Sequence, residues 1–232
     1  MPAQSSPPLL YADTHSSSDM LYFGGVDVHD PFIAFGTGRK KITVQSALEL
    51  GRVKRTGDFD QVLSLETWRD HARQAYGAKA GIAEIIVCLA RHHGLRSFRI
   101  PDNFPAGLYQ KLLKLGLKLE LAAGMLFPER EIKSAPEAEA IRDGNRLAAV
   151  GYVTAEKILR TAKIKGRSLV YQGQPLTSEH LRFAIEVAIK EQGGEARDTI
   201  VAGGNQACDP HERGSGPCAR TNSSSWTFFP VC

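Results

Sequence analysis

Residues 130–148 read REIKSAPEAEAIRDGNRLA, and the fold turns on what this stretch begins. Ser134 stands where an N-cap should. Glu137 follows three residues later, so each side chain can take the other's free backbone N–H in a capping box. Pro136 falls in the first turn, where a missing N–H costs no hydrogen bond. Ile141, Leu147, Ala148, Tyr152, Val153 and Ile158 then recur at helical spacing, which predicts a helix of about eight turns. A second amphipathic helix is predicted in LTSEHLRFAIEVAIKEQG, capped by Thr177 or Ser178 and closed by Gly193. DTIVAGG, from Asp198, then begins a strand.

What precedes this helix has another character. PFIAFG and KKITVQ flank the glycine turn GTGR and read as neighbouring strands. SALELGRVKR opens with Ser46 and Glu49 in the same capping-box spacing. FDQVLSL is a further strand, and ETWRDHARQAYGAKAGIAEIIVCLARHHG a helix-sized segment with Ile82, Ile85, Ile86 and Leu89 in helical register. RSFRIPDN, PAGLYQKLLKLG and LKLELA continue as strand, helix and strand. Strands alternating with crossover helices predict an α/β domain with a parallel or mixed sheet. That domain is expected to span residues 1–128, with a helix-rich second unit from residue 129.

Composition narrows the function. A net charge of +4 with scattered basic residues excludes a strongly basic face, and the clusters GRKK and GRVKRTG lack interleaved aromatics, so no nucleic acid is expected. No apolar run is long enough to span a membrane, and the N-terminus lacks the basic and apolar regions of a signal peptide. Cys88, Cys208, Cys218 and Cys232 are therefore expected as free thiols in a reducing cytoplasm. His92 and His93 end a predicted helix, where a partly charged imidazole suits the dipole. Asp27 and Asp30, in VDVHDP around His29, read as solvated turn carboxylates. GGVDVHD lacks the lysine and helix start of a phosphate-binding loop.

The ordered series of REIKSAPEAEAIRDGNRLA, TSEHLRFAIEVAIKEQGGEARDTIVAGG and NQACDPHERGSGP resembles the pita-bread metallopeptidases, a group that includes aminopeptidase P, prolidase and creatinase. The resemblance runs from about residue 10 to Pro217. It implies a creatinase-like N-terminal α/β domain followed by the first part of a pita-bread α+β domain, residues 129–217. Intact members hydrolyse the amide bond after an N-terminal residue, often a bond to proline, with two divalent ions (Mn, Co or Zn) held by two Asp, one His and two Glu. The ions activate a bridging water and polarise the scissile carbonyl. The resemblance further implies a peptide substrate and a homodimer formed through the N-terminal domain. It assigns His211 as the substrate-pocket histidine, a hydrogen-bond donor to the tetrahedral intermediate and not a metal ligand; the residues alone equally allow a loop histidine that organises the ERGSG turn.

The tail departs from this pattern. The family places after the loop a hydrophobic strand ending in the first Asp ligand, whereas residues 218–232 read CARTNSSSWTFFPVC, and no Asp or Glu follows Glu212. Tryptophan is encoded by TGG alone and every threonine codon begins AC, so Trp226–Thr227 contains GAC, aspartate, one frame earlier. With TCN serines that frame reads as an apolar strand such as LIILDIFP, although any TCN run turns hydrophobic there. Residues 218–232 are therefore expected to be a frameshifted, non-native tail. On this reading the chain is a truncated, inactive Xaa-Pro aminopeptidase that holds no metal or cofactor of its own. The other reading is a non-enzymatic remnant that serves as a dimerisation or binding module. A zinc cluster of Cys208, His211, Cys218 and Cys232 lacks the paired short spacings of zinc modules. A Cys208 nucleophile with His211 as base lacks an orienting third group.

Overall fold

The structure is a computed structural model that describes residues 6–219 and the backbone of residues 224–231. The chain divides into two compact units, Met1–Ile132 and Lys133–Cys232.

In the first unit, β1 (Leu9–Ala12), β2 (Phe32–Thr37), β3 (Lys40–Gln45) and β4 (Gln61–Ser64) form a sheet in that order. The first two pairings are antiparallel and the third parallel. Helices α1 (Ser18–Gly24) and α2 (Ala47–Thr56) lie between these strands in sequence, and α3 (Leu65–Tyr76), α4 (Ile82–His92) and α5 (Ala106–Lys114) follow. Strands β5 (Ser97–Ile100) and β6 (Lys118–Leu121) pair in parallel. The Arg99 N–H donates to Pro7 O at 2.8 Å and joins β5 to the approach of β1. The α/β class and mixed sheet expected from the sequence are those observed.

The run FIAF is apolar at every position because both faces of β2 are covered. Successive side chains of a strand point to opposite faces. Ile33 and Phe35 accordingly join Leu9, Ile42, Val44 and the inner residues of α3 and α4. Phe32 and Ala34 join Leu10, Met20, Phe23 and Val53 from the α1 and α2 side. Leu126 and Phe127 complete the second cluster.

Three local expectations are corrected. The segment from Glu66 to Gly94 is two helices, because Gly77 takes φ +89 as the C-cap of α3 and the Gly81 N–H donates to Glu84 Oε2 at 2.8 Å to start α4. Ser46 caps α2 by position only: its side chain makes no capping bond, the Ala47 N–H goes to Glu66 Oε1 at 3.2 Å, and Glu49 binds Arg52 instead. His93 is not a charged partner of the α4 dipole. Its Nε2 is buried and without a partner among the described residues, its ring meets Phe35 edge-on at 5.4 Å, and burial pushes its pKa down.

In the second unit the capping box of Ser134 and Glu137 forms, with the Ser134 N–H donating to Glu137 Oε2 at 2.8 Å, and opens α6 (Ala135–Thr161). A meander of β7 (Lys163–Lys165), β8 (Ser168–Tyr171) and β9 (Gln174–Pro175) follows, which the periodicity does not disclose. Helix α7 (Ser178–Glu191), capped by Thr177, leads to β10 (Glu195–Gly203). β10 pairs antiparallel with β11 (Ser224–Val231) across a bulge between Arg197 and Ile200. Ala155 and Ile158 of α6 pack with Leu181, Ile185 and Ile189 of α7 and Val201 of β10. Among the described residues no helix is long and apolar enough to cross a membrane.

Candidate functional site: the loop after β10

β10 delivers the chain into a 3-10 turn, Gly204–Cys208, and then into DPHERGSGP, residues 209–217. Such a loop exposes backbone polar groups that need partners, and α7 supplies them. Arg182 donates from Nε to Thr199 O at 3.1 Å and from Nη2 to Arg213 O at 2.5 Å and Gly214 O at 2.6 Å. One guanidinium thus ties β10 to the far arm of the loop. Glu179, in the first turn of α7, accepts the Gly216 N–H at 3.0 Å. Its own backbone N–H, and then that of Gly216, hold its carboxyl below the usual range.

Within the loop, Asp209 Oδ1 accepts the His211 N–H at 2.9 Å, Glu212 Oε1 accepts the Gly214 N–H at 3.0 Å, and Gln206 binds Ser215 through both ends of its amide. Gly214 is required here: it has φ +77, and a Cβ would lie 1.8 Å from Val201 O. That close approach lets the Val201 N–H reach Arg213 O at 3.0 Å. Gly216 O accepts from Ser178, and Cys218 bridges β8 and Leu176 through its backbone, so the exit is held as firmly as the entry.

His211 therefore sits on a fixed backbone with an exposed side chain, and among the described residues no hydrogen bond holds its imidazole. Beside the loop lies a cavity of about 350 Å³ with Leu159, Ile164, Leu181 and Val201 in its wall and Gln206 and Ser215 at its polar side. This arrangement presents an imidazole and an apolar hollow, and among the described residues no group of three possible metal ligands stands beside them.

The zinc reading of the cysteines fails on placement. Among the described residues only His15, Asp27 and His29 bring three possible metal ligands together, and Cys208, His211 and Cys218 do not. Cys232 lies outside the described residues. Cys208 is exposed, while burial pushes the half-buried Cys218 thiol up. Asp27 and Asp30 are exposed, as expected of solvated turn carboxylates, and Asp27 has a neighbour the sequence does not disclose: His15, twelve residues upstream, contacts it at 3.1 Å. Asp30 takes no part in the group. Nothing in the periodicity singles out His15, because the contact depends on how two loops meet.

The backbone at Trp226 and Thr227 lies opposite Val201 and Ile200 on β10, at the level where the loop is clamped. No family model and no curated protein sequence matches the chain. Solved structures do. An X-Pro aminopeptidase from Thermotoga maritima superposes with a TM-score of 0.71 at 13% identity, covering 96% of this chain and 57% of its own. A Xaa-Pro dipeptidase from Bacillus anthracis gives 0.71 at 12%, covering 97% and 56%. The prolidase from Pyrococcus horikoshii gives 0.66 at 17%, covering 93% and 53%. The fold is thus that of the prolidase and Xaa-Pro aminopeptidase structures, and the chain spans little more than half their length.

Proposed function

We propose that this chain is the scaffold and substrate-side loop of an Xaa-Pro peptidase, with His211 as the group that meets the peptide. The observation that carries the reading is the DPHERGSGP loop, clamped by Arg182 at the end of β10 on the fold of prolidases and X-Pro aminopeptidases. An imidazole N–H carried on a held backbone and able to reach the carbonyl oxygen stabilises charge that develops only in the transition state, and removing one such donor costs on the order of 10²–10³ in turnover. Two divalent ions would supply the activated water in an intact enzyme. Among the described residues no donor set fits such a pair. We infer that residues 218–232 are a shifted reading of the ligand strand and that the 232 residues by themselves do not hydrolyse peptides.

Sequencing the DNA from the Pro217 codon onward tests this. The reading expects the alternate frame to stay open and to supply a second Asp, a His and two Glu. Joined to that frame, the protein should cleave Ala-Pro with Mn2+, and His211→Ala should lower kcat roughly a hundredfold or more. An alternate frame that closes within a few codons would overturn it. A second reading, an inactive dimerisation module, is favoured by the exposure of Tyr152 and Val153 on α6 and Phe183 on α7. A stable dimer of the 232-residue chain in light scattering, with no peptidase activity in either frame, would favour that reading.

A further inference from the structure

We propose that His15, Asp27 and His29 form a site for one divalent cation of the zinc type, independent of any peptidase chemistry. Two segments that flank α1 in sequence are pinned together here. The Thr14 N–H donates to Val28 O at 3.1 Å, and the Val28 N–H donates to Thr14 Oγ1 at 2.8 Å. Thr14 and Val28 are both buried, so this cross-link is shielded from water. Their next residues, His15 and His29, are therefore delivered side by side, with ring centroids 4.3 Å apart and planes within 19°.

Asp27 completes the group. Its Oδ1 lies 3.1 Å from His15 Nε2 and 2.8 Å from Thr14 Oγ1, and its Oδ2 lies 4.0 Å from His29 Nε2. The three possible ligand atoms all fall within 4.8 Å of one another. Bonds of about 2.0–2.1 Å to a tetrahedral zinc place ligands roughly 3.3 Å apart, so small side-chain rotations close the site. Its supports are already in place. The Asp13 carboxylate accepts the N–H groups of His15 and Ser16 at 2.8 and 2.7 Å and fixes the turn that presents His15. The Thr14 hydroxyl, beside Asp27, orients a ligand in the way outer partners of metal sites do. Arg52, the cation that acts on Asp27 from α2, is itself held by Glu49.

Two imidazoles and one carboxylate favour Zn2+, Ni2+ or Cu2+ over the oxygen-seeking Mg2+ and Ca2+. All three side chains are exposed, which leaves the remaining positions to water. The bound ion would fasten the loop before α1 to the loop after it.

The test titrates ZnCl2 alone into the full chain by calorimetry, with histidine nitrogen NMR as a second readout. One ion should bind, shift the ring nitrogens of His15 and His29, and raise Tm by mass action. His15→Ala and His29→Ala should each weaken binding roughly tenfold or more while leaving the metal-free Tm unchanged. Replacing Cys208, Cys218 and Cys232 by serine should leave binding intact. Zinc that binds His15→Ala and His29→Ala as it binds the parent overturns the proposal. So does zinc that depends on the cysteines, or that leaves the His15 and His29 signals in place while others move.

Discussion

A guanidinium that donates to main-chain carbonyls on two segments couples the order of one to the order of the other. Arg182 does this for Thr199 on β10 and for Arg213 and Gly214 in the loop. Hydrogen bonds from charged donors contribute about 1.5–3 kcal/mol. Arg182→Ala is accordingly expected to lower unfolding stability by about that much and to speed amide exchange across residues 209–217. Arg182→Lys should recover only part, since an ammonium lacks the planar fork. His93 makes a prediction of opposite origin. Burial lowers its pKa from the ordinary 6.5, so below that pH the unfolded chain takes up a proton that the folded chain resists. Stability is therefore complete above pH 6.5 and declines as the pH falls toward the folded-state pKa. His93→Gln should flatten this difference in urea titrations at pH 7.0 and 5.5. The sequence shows His93 ending a helix but not that its ring lies under Phe35, because that neighbour comes from a strand far away in the chain.

At the level of elements, one motif has two outcomes. Ser134 and Glu137 form the capping box that their spacing predicts, whereas Ser46 and Glu49 do not. Ser134→Ala should cost about 1 kcal/mol of stability, and Ser46→Ala close to nothing, in parallel urea unfolding series. The difference is legible only in three dimensions: Glu66, brought in by α3, takes the Ala47 N–H, and the Glu49 carboxylate that should reach back to Ser46 goes to Arg52. Long periodic elements such as α6 and α7 declare themselves in the sequence because apolar spacing is a property of many residues at once. The meander β7–β8–β9 does not. Its strands have four residues at most, and its last turn rests on left-handed backbone at Gln172 and Gly173. The break between α3 and α4 is legible after the fact in Gly77, whose φ of +89 closes α3.

At the scale of the molecule, the first unit has what independent folding requires. Its sheet is covered on both faces, and its two apolar clusters draw only on residues up to Phe127. Residues 1–132 expressed alone should melt cooperatively with the far-UV signal of a mixed α/β domain, and a gradual, dye-binding transition would contradict this. The second unit has a smaller buried cluster and leaves Ile141, Tyr152, Val153 and Phe183 facing water. Its pairing of β10 with β11 carries a further consequence. The rungs of a β-ladder are made by main-chain groups that nearly every amino acid shares, so a neighbour for β10 can be supplied by almost any extended text. An altered message can keep that seat filled and hide an otherwise adhesive border, while most of the side chains it brings are changed. A filled ladder of this kind would then hide in the backbone an error that lies in the side chains.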